Sequence, residues 1–131
     1  MTEKEYRIQF THEKDHLYVL VSGDRVNVGI ARQYWQDIDD ERRKNNWNKI
    51  LIEDRVEGRL TFAEYHEMGL AIADMGFRGC KVAYVDRNIG LDRNVLNAVL
   101  HAQTVLTNRG MTGKVFDNVD DARKWLSGPQ G

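Results

Sequence analysis

The sequence predicts a single α/β domain with a mostly parallel sheet, an antiparallel hairpin at its N-terminus and about four helices. Three observations indicate this fold class. Short strand-like runs alternate with amphipathic helix patterns along most of the 131 residues. Ile50, Leu51 and Ile52 form an apolar run without alternation, which is typical of a parallel strand covered on both faces. Thr61 and Glu64 have the spacing of a capping box, so we expect a helix to begin at Thr61.

The N-terminal hairpin is predicted from two β-prone runs separated by a polar turn. Tyr6 to Thr11 and Leu17 to Ser22 flank the segment HEKDH, whose length suits a hairpin loop. The first run alternates apolar and polar residues, which predicts one buried and one exposed face. The second run is almost continuously apolar and is therefore expected to be covered on both faces. Gly23 and Asp24 then close the hairpin unit.

The remaining helices are predicted from their caps and from apolar residues at spacings of three and four. Asn27, Asp92 and Asn118 carry side-chain oxygens that can accept a hydrogen bond from a free N–H of the first helical turn. Gly76 and Gly110 follow the predicted ends of two helices, where a glycine in the left-handed conformation commonly forms the C-terminal cap. The predicted elements after the hairpin are a helix from Asn27 to about Lys44, a strand at Ile50 to Ile52, a helix from Thr61 to about Gly76, a strand from Lys81 to Val85, a helix from Asp92 to about Gly110, a strand from Gly113 to Phe116 and a helix from Asn118.

This order, ββαβαβαβα, predicts right-handed crossovers onto one sheet. We expect the domain to span residues 1–127 and residues 128–131 to form a flexible tail. In the second and third helices, the apolar stripes that face the sheet are expected to contain Phe62, Tyr65, Met68, Leu70 and Ile72, and Val95, Leu96, Val99, Leu100, Gln103 and Leu106.

Composition excludes several classes of function. The 19 basic and 20 acidic residues leave a formal charge of −1. The chain therefore lacks the excess of positive charge that is typical of nucleic-acid-binding proteins. No apolar run approaches the roughly 20 residues that span a bilayer, and the first residues lack a secretory signal pattern, which predicts a cytoplasmic protein without membrane insertion. Cys80 is the single cysteine and is expected to be a buried hydrophobe.

Several segments resemble one known family. VFDNVDDARKWL, from Val115 to Leu126, is similar to the C-terminal signature of the SpoIIAA-like family, and LVSGD and ILIEDRVEGRLTFAE match that family in position and character. The resemblance implies a STAS-like fold, as in bacterial anti-sigma-factor antagonists, and a non-enzymatic regulatory domain that binds a protein partner. By position, Thr61 matches the phosphorylated residue of those antagonists, although Glu57-Gly-Arg-Leu-Thr61 stands where they carry an Asp-Ser-Ser-Gly-like motif.

Candidate site residues follow the two central strands. Ligands of open α/β sheets bind at the carboxyl ends of the strands, so the segment from Asp54 to Thr61 is the expected site. A phosphate on Thr61 would meet a helix N-terminus, and Arg55 or Arg59 would pair with it. The candidate residues for binding a partner or ligand are Asp54, Arg55, Gly58, Arg59, Asp86 and Arg87.

Two other functions remain open from the sequence. A small carrier of an apolar ligand or lipid is suggested by a likeness to the SEC14 class and by the apolar helix faces. A magnesium-dependent phosphoryl-handling enzyme would use Asp54 and Asp86, although aspartates after strands also cap loops and pair with neighbouring arginines. No metal site is expected, because the four histidines lack helical metal-ligand spacing; they are His12, His16, His66 and His101. No cofactor or catalytic residue is expected either, because the sequence has no glycine-rich phosphate loop, nucleophile elbow or Cys-His pairing. An edge strand could pair with a second copy in a homodimer.

Overall fold

The computed structural model describes residues 5–128, and in that part of the chain five strands form one sheet with five helices. The strands are β1 (Arg7–His12), β2 (Leu17–Gly23), β3 (Lys49–Val56), β4 (Lys81–Val85) and β5 (Thr112–Phe116), and the helices are α1 (Val28–Lys44), α2 (Phe62–Met75), α3 (Asn88–Leu91), α4 (Arg93–Asn108) and α5 (Val119–Ser127). The strand order in space is the order in the chain. β1 pairs antiparallel with β2, and all other neighbours are parallel, which confirms the predicted α/β class and hairpin.

The helices lie on both faces of the sheet. Ile50 and Ile52 of β3 pack with residues of α1, α2 and α4 in the largest apolar cluster, and we call this side the α1 face. Leu51 points the other way and packs with Ala122 and Leu126 of α5, on the side we call the α5 face. Because successive strand residues alternate between faces, β3 is apolar on both, as its continuous apolar run predicts.

The predicted helix starts are confirmed by side-chain hydrogen bonds. The oxygens of Asn27, Asp92 and Asn118 each accept a backbone N–H of the first turn of α1, α4 and α5. Thr61 and Glu64 form the full capping box at the start of α2. These caps act over two or three residues, which is why short sequence patterns locate them.

Three sequence-based expectations are corrected. β3 extends to Val56, because its parallel pairing with β2 continues as far as the pair of Gly23 and Val56. Asp54 and Arg55 therefore lie inside the strand rather than after it. A one-turn helix, α3, occupies the segment between β4 and α4. Three residues assigned to buried stripes are exposed at the ends or flanks of their helices: Phe62, Leu70 and Leu100.

The core is anchored by aromatic side chains on the α1 face. Phe77 is 1% exposed and meets the Trp35 ring edge-on, with 5.5 Å between ring centroids. Cys80 is buried as expected, and burial raises the pKa of its thiol. Across residues 5–128, the structure has no helix that is both long and apolar enough to cross a membrane. Residues 129–131 of the expected tail lie outside the described residues.

Candidate functional site

Asp54, inside β3, and Asp86, directly after β4, lie side by side near the carboxyl edge of the sheet. Glu53 of β3 and Val85 of β4 are register partners. Asp54 follows Glu53 and Asp86 follows Val85, so the two aspartates occupy matching positions on neighbouring strands. Parallel strands are about 4.8 Å apart, so the two side chains emerge next to each other on the α1 face. The register thus brings together the two aspartates that the magnesium-dependent function considered from the sequence would use.

Three tyrosines surround these acids, and together they form what we call the acid cluster: Asp54, Asp86, Tyr34, Tyr65 and Tyr84. The hydroxyl of Tyr34 donates to Asp54 Oδ2 at 3.0 Å, and that of Tyr84 donates to the same oxygen at 2.6 Å. The backbone N–H of Val56 donates to Asp54 Oδ1 at 2.9 Å. Asp54 is therefore held by α1, β3 and β4 at once.

Burial sets the ionisation of the cluster. Burial raises the pKa of Asp54 above its usual range, although hydrogen bonds from Tyr84, the Val56 N–H and Tyr34 favour the carboxylate. Burial and the nearby Asp54 carboxylate raise the pKa of Asp86 to about 6. Burial, with Asp86 as a second cause, raises the pKa of Tyr65 to about 12. Shifts of this kind gather at functional sites, although they also arise in structural clusters.

The geometry gives little support to a magnesium site here. Both oxygens of Asp54 accept hydrogen bonds from protein groups, and Asp86 Oδ1 accepts the N–H of Asn88 at 2.9 Å. Magnesium demands near-ideal octahedral oxygen ligands, and these carboxylates already serve protein donors. Among residues 5–128, no group of three or more histidine, cysteine, aspartate or glutamate side chains is arranged to hold a metal ion.

Arg55 lies apart from the acid cluster, whereas the Arg87 guanidinium is close enough to Asp86 to oppose the rise in the pKa of that carboxyl. Arg55 is on the α5 face, where its Nε donates to Glu53 Oε2 at 2.6 Å, and the same glutamate accepts from the hydroxyl of Tyr18. Arg55 and Arg87 both line an open groove of about 740 Å³ at the carboxyl edge, together with Arg7 of β1. The sequence-predicted site is thus divided between the two sides of the sheet.

The loop between β3 and α2 carries the remaining candidates. Gly58 has φ of +90°, a left-handed conformation that favours glycine, and Glu57 N–H donates to the carbonyl of Gly23 at 2.9 Å. Arg59 forms an ion pair with Asp92, the N-cap of α4. This bridge joins the start of α2 to the start of α4. Thr61 is exposed beside it, at the capped N-terminus of α2.

An exposed stripe on α2 was not expected from the sequence. Phe62, His66 and Leu70 follow one another at four-residue spacing and share a helix face, which we call the α2 surface. Phe62 is 54% exposed, and Leu70 is also exposed. Leu91 of α3 is 84% exposed and directly precedes Asp92, the partner of Arg59. The ion pair between Arg59 and Asp92 therefore joins two segments that each carry an exposed apolar side chain, because Phe62 is three residues after Arg59 and Leu91 is next to Asp92.

A cavity of about 80 Å³ lies between the sheet and α1, α2 and α4. Most of its lining is apolar, and the hydroxyl-bearing rings of Tyr34, Tyr65 and Tyr84 separate it from the aspartates. Gln103 of α4 also lines it, and its Oε1 is buried without a hydrogen-bond donor among the described groups. The sequence placed Gln103 within an apolar stripe but gave no sign of the cavity.

Two comparisons with known proteins return no match, whether with protein-family models or with curated proteins. A comparison with solved structures finds the NMR structure of the protein TM1081, with a TM-score of 0.46 and 19% sequence identity. The similarity covers 89% of this chain and 86% of that chain.

Proposed function

We propose that this chain is a STAS-like, non-enzymatic regulatory domain that binds a protein partner through the loop of residues 57–61 and the α2 surface. The observation that carries the proposal is the exposure of Phe62 and Leu91 on the two segments that the ion pair between Arg59 and Asp92 joins. The resemblance of its sequence to the SpoIIAA-like family gives independent support.

The physical argument rests on the cost of leaving large apolar groups in water. Each fully buried side chain of this kind contributes about 1.5 to 3 kcal/mol, so a partner that covers Phe62 and Leu91 gains from both. A central aromatic anchor with a charged rim is the usual arrangement at protein interfaces, and Arg59 and Asp92 provide such a rim. The matching partner surface carries an apolar pocket bordered by polar groups.

Regulation at Thr61 fits the same location. Its Oγ1 accepts the Glu64 N–H at 3.2 Å, so a phosphate there replaces the cap and adds charge one residue before Phe62. The helix N-terminus favours that charge, and Glu64 opposes it. Arg55 is engaged by Glu53 on the opposite face, whereas Arg59 lies two residues before Thr61 and is paired with Asp92, so a phosphate on Thr61 would compete with Asp92 for Arg59. Charge at Thr61 is expected to weaken an interface centred on Phe62.

Site-directed crosslinking tests the proposed surface. A photoreactive phenylalanine analogue at position 62 is expected to capture a partner in cells of the source organism, and the same analogue at Leu100 serves as the control on another exposed apolar site. With the captured partner purified, Phe62→Ser is expected to weaken binding about thirtyfold, which corresponds to about 2 kcal/mol for an aromatic anchor. Calorimetry measures the affinity.

Leu100→Ser is expected to bind as tightly as the unchanged protein, because Leu100 lies outside the α2 surface. Equal capture from positions 62 and 100, or an unchanged affinity after Phe62→Ser, would overturn the proposed interface. Thr61→Glu separates regulation from docking: a loss of affinity without loss of folded structure supports a switch at Thr61.

A second candidate function is the binding of a small, mostly apolar molecule in the cavity. The specific observation is the buried Gln103 Oε1, which a ligand with one hydrogen-bond donor would satisfy. The cavity of about 80 Å³ is about half the size of an engineered cavity of about 150 Å³ that holds benzene. A lipid chain would need α2 and α4 to separate, and this favours a ligand smaller than a lipid.

Native mass spectrometry of protein purified from its own host tests this second function. We expect a retained mass in the unchanged protein and its loss in Gln103→Leu, which keeps the side chain's bulk but removes the oxygen. Protein without any added mass, or a ligand retained equally by Gln103→Leu, would count against it.

A further inference from the structure

Two histidines that are far apart in the sequence meet on the surface of the helix layer. His66 lies on α2 and His101 on α4, with 2.8 Å between His66 Nδ1 and His101 Nε2. Their ring centroids are 5.0 Å apart, and the Phe62 ring lies 4.9 Å from the His101 ring. No local pattern in the sequence predicts this pair, because 35 residues separate its members.

The helices that carry these histidines are packed closely. A Cβ atom on Gly69, three residues after His66, would lie 3.4 Å from the Cα of Ala102, the residue that follows His101. Such close approach of two helices through small residues fixes the separation of their backbones. The two imidazoles are therefore held near each other by the backbone, and only their side-chain torsions are free to adjust.

Both imidazoles are open to an incoming ion. His66 is exposed and His101 is half-buried. The other two histidines differ, since His12 contacts Trp47 and Glu41 through its two ring nitrogens, and His16 is buried beside Asp15. Among residues 5–128, His66 and His101 are thus the histidines whose ring nitrogens meet each other rather than a carboxylate or an indole.

The separation of the nitrogens is close to that of two ligands of one metal ion. Imidazole nitrogens bind transition metals at about 2.0 Å, so two of them on one ion are about 2.8 to 3.3 Å apart, depending on the coordination geometry. The observed 2.8 Å is the length of the hydrogen bond between the rings, and a movement of at most about 0.5 Å keeps the nitrogens within this range. Imidazole suits zinc, copper, iron and nickel, and among the divalent first-row ions Cu(II) binds a given nitrogen site most tightly.

We propose that His66 and His101 form a binding site for a divalent transition metal ion, with Cu(II) preferred. A small rotation of the two rings turns both lone pairs from each other towards a common ion, which replaces the hydrogen bond between the rings. The remaining positions are taken by water. This proposal revises the sequence-based expectation of no metal site, and it does not depend on the proposed partner binding.

Isothermal titration calorimetry with tag-free protein tests the site. The probes are CuCl₂, NiCl₂ and ZnCl₂ in a weakly coordinating buffer at pH 7.5. We expect one Cu(II) per chain, bound more tightly than either Ni(II) or Zn(II). His66→Ala and His101→Ala are each expected to weaken Cu(II) binding at least tenfold, and His12→Ala is expected to leave it unchanged.

Electron paramagnetic resonance provides a readout of the ligands themselves. Cu(II) bound to the unchanged protein is expected to show coupling to two imidazole nitrogens, and one of these couplings is lost in each variant. Circular dichroism checks that the variants remain folded. Equal Cu(II) affinity in the unchanged protein and both variants, or a spectrum without imidazole coupling, would overturn the site.

Discussion

Replacing Asp39 with alanine is expected to lower the free energy of unfolding by about 3 to 5 kcal/mol, the range for breaking a buried ion pair from one side. Asp39 lies on α1 and is 1% exposed. Its Oδ1 is 2.9 Å from Arg42 Nε, and its Oδ2 is 3.0 Å from Arg43 Nε. Without this carboxylate, Arg42 is left as an uncompensated cation whose side chain is largely buried.

The loss extends beyond the ion pairs, because the same arginines bind the end of α2. Arg42 Nη2 donates to the carbonyl of Gly76 and Arg43 Nη2 to that of Met75, each at 2.5 Å. Basic groups at such carbonyls satisfy acceptors that the helix cannot pair internally. Asp39 therefore orients two cations that fasten α2 to α1.

Urea denaturation monitored by circular dichroism measures the effect. Asp40→Ala is the matched control, because Asp40 is the next residue on α1 and is exposed, and it should change stability by less than about 0.5 kcal/mol. Asp39→Asn keeps the shape but removes the charge, and we expect it to lose most of the same free energy. An Asp39→Ala protein as stable as the Asp40→Ala protein would refute this account of the contact between α1 and α2.

The features that sequence predicts well here are local. Thr61 caps α2 through Glu64, three residues away, and Asn118 caps α5 through Asp121 in the same way. The apolar run at β3 likewise predicts a strand covered on both faces, because its pattern depends only on its own residues. When both partners of a hydrogen bond, or all residues of a burial pattern, lie within a few positions of one another, the sequence alone is enough to predict the interaction.

The candidate site depends on contacts that the sequence does not contain. Tyr34 and Tyr84 bind Asp54 across separations of 20 and 30 residues, so their role emerges only once α1 and β4 flank β3. Arg55 and Asp54 lie on opposite faces of the sheet because successive strand residues alternate between faces. This could not be predicted, because the sequence pattern did not show that β3 extends past Asp54 to Val56. Phe62 fits a helical apolar stripe by spacing, and only the packing of α2 against α4 leaves it exposed.

Replacing Asp86 with asparagine is expected to stabilise the protein at pH 8 by up to about 3 kcal/mol and to have little effect near pH 4. The pKa of Asp86 is about 6 in the folded chain and close to 3.8 when unfolded. A raised carboxyl pKa contributes stability that is present below the unfolded value and is lost as pH rises through the folded value. The upper limit follows because two pKa units correspond to about 3 kcal/mol.

Asparagine keeps the carbonyl oxygen that accepts the N–H of Asn88, and it removes the charge that burial and Asp54 oppose. Asp117→Asn is the matched control, since Asp117 follows β5 as Asp86 follows β4 but is exposed, and we expect no more than about 0.5 kcal/mol at either pH. Urea denaturation from pH 4 to pH 8 gives the difference between Asp86→Asn and the unchanged protein. A difference that stays constant with pH, or a less stable variant at pH 8, would show that ionised Asp86 does not destabilise the folded chain, and would contradict its raised pKa.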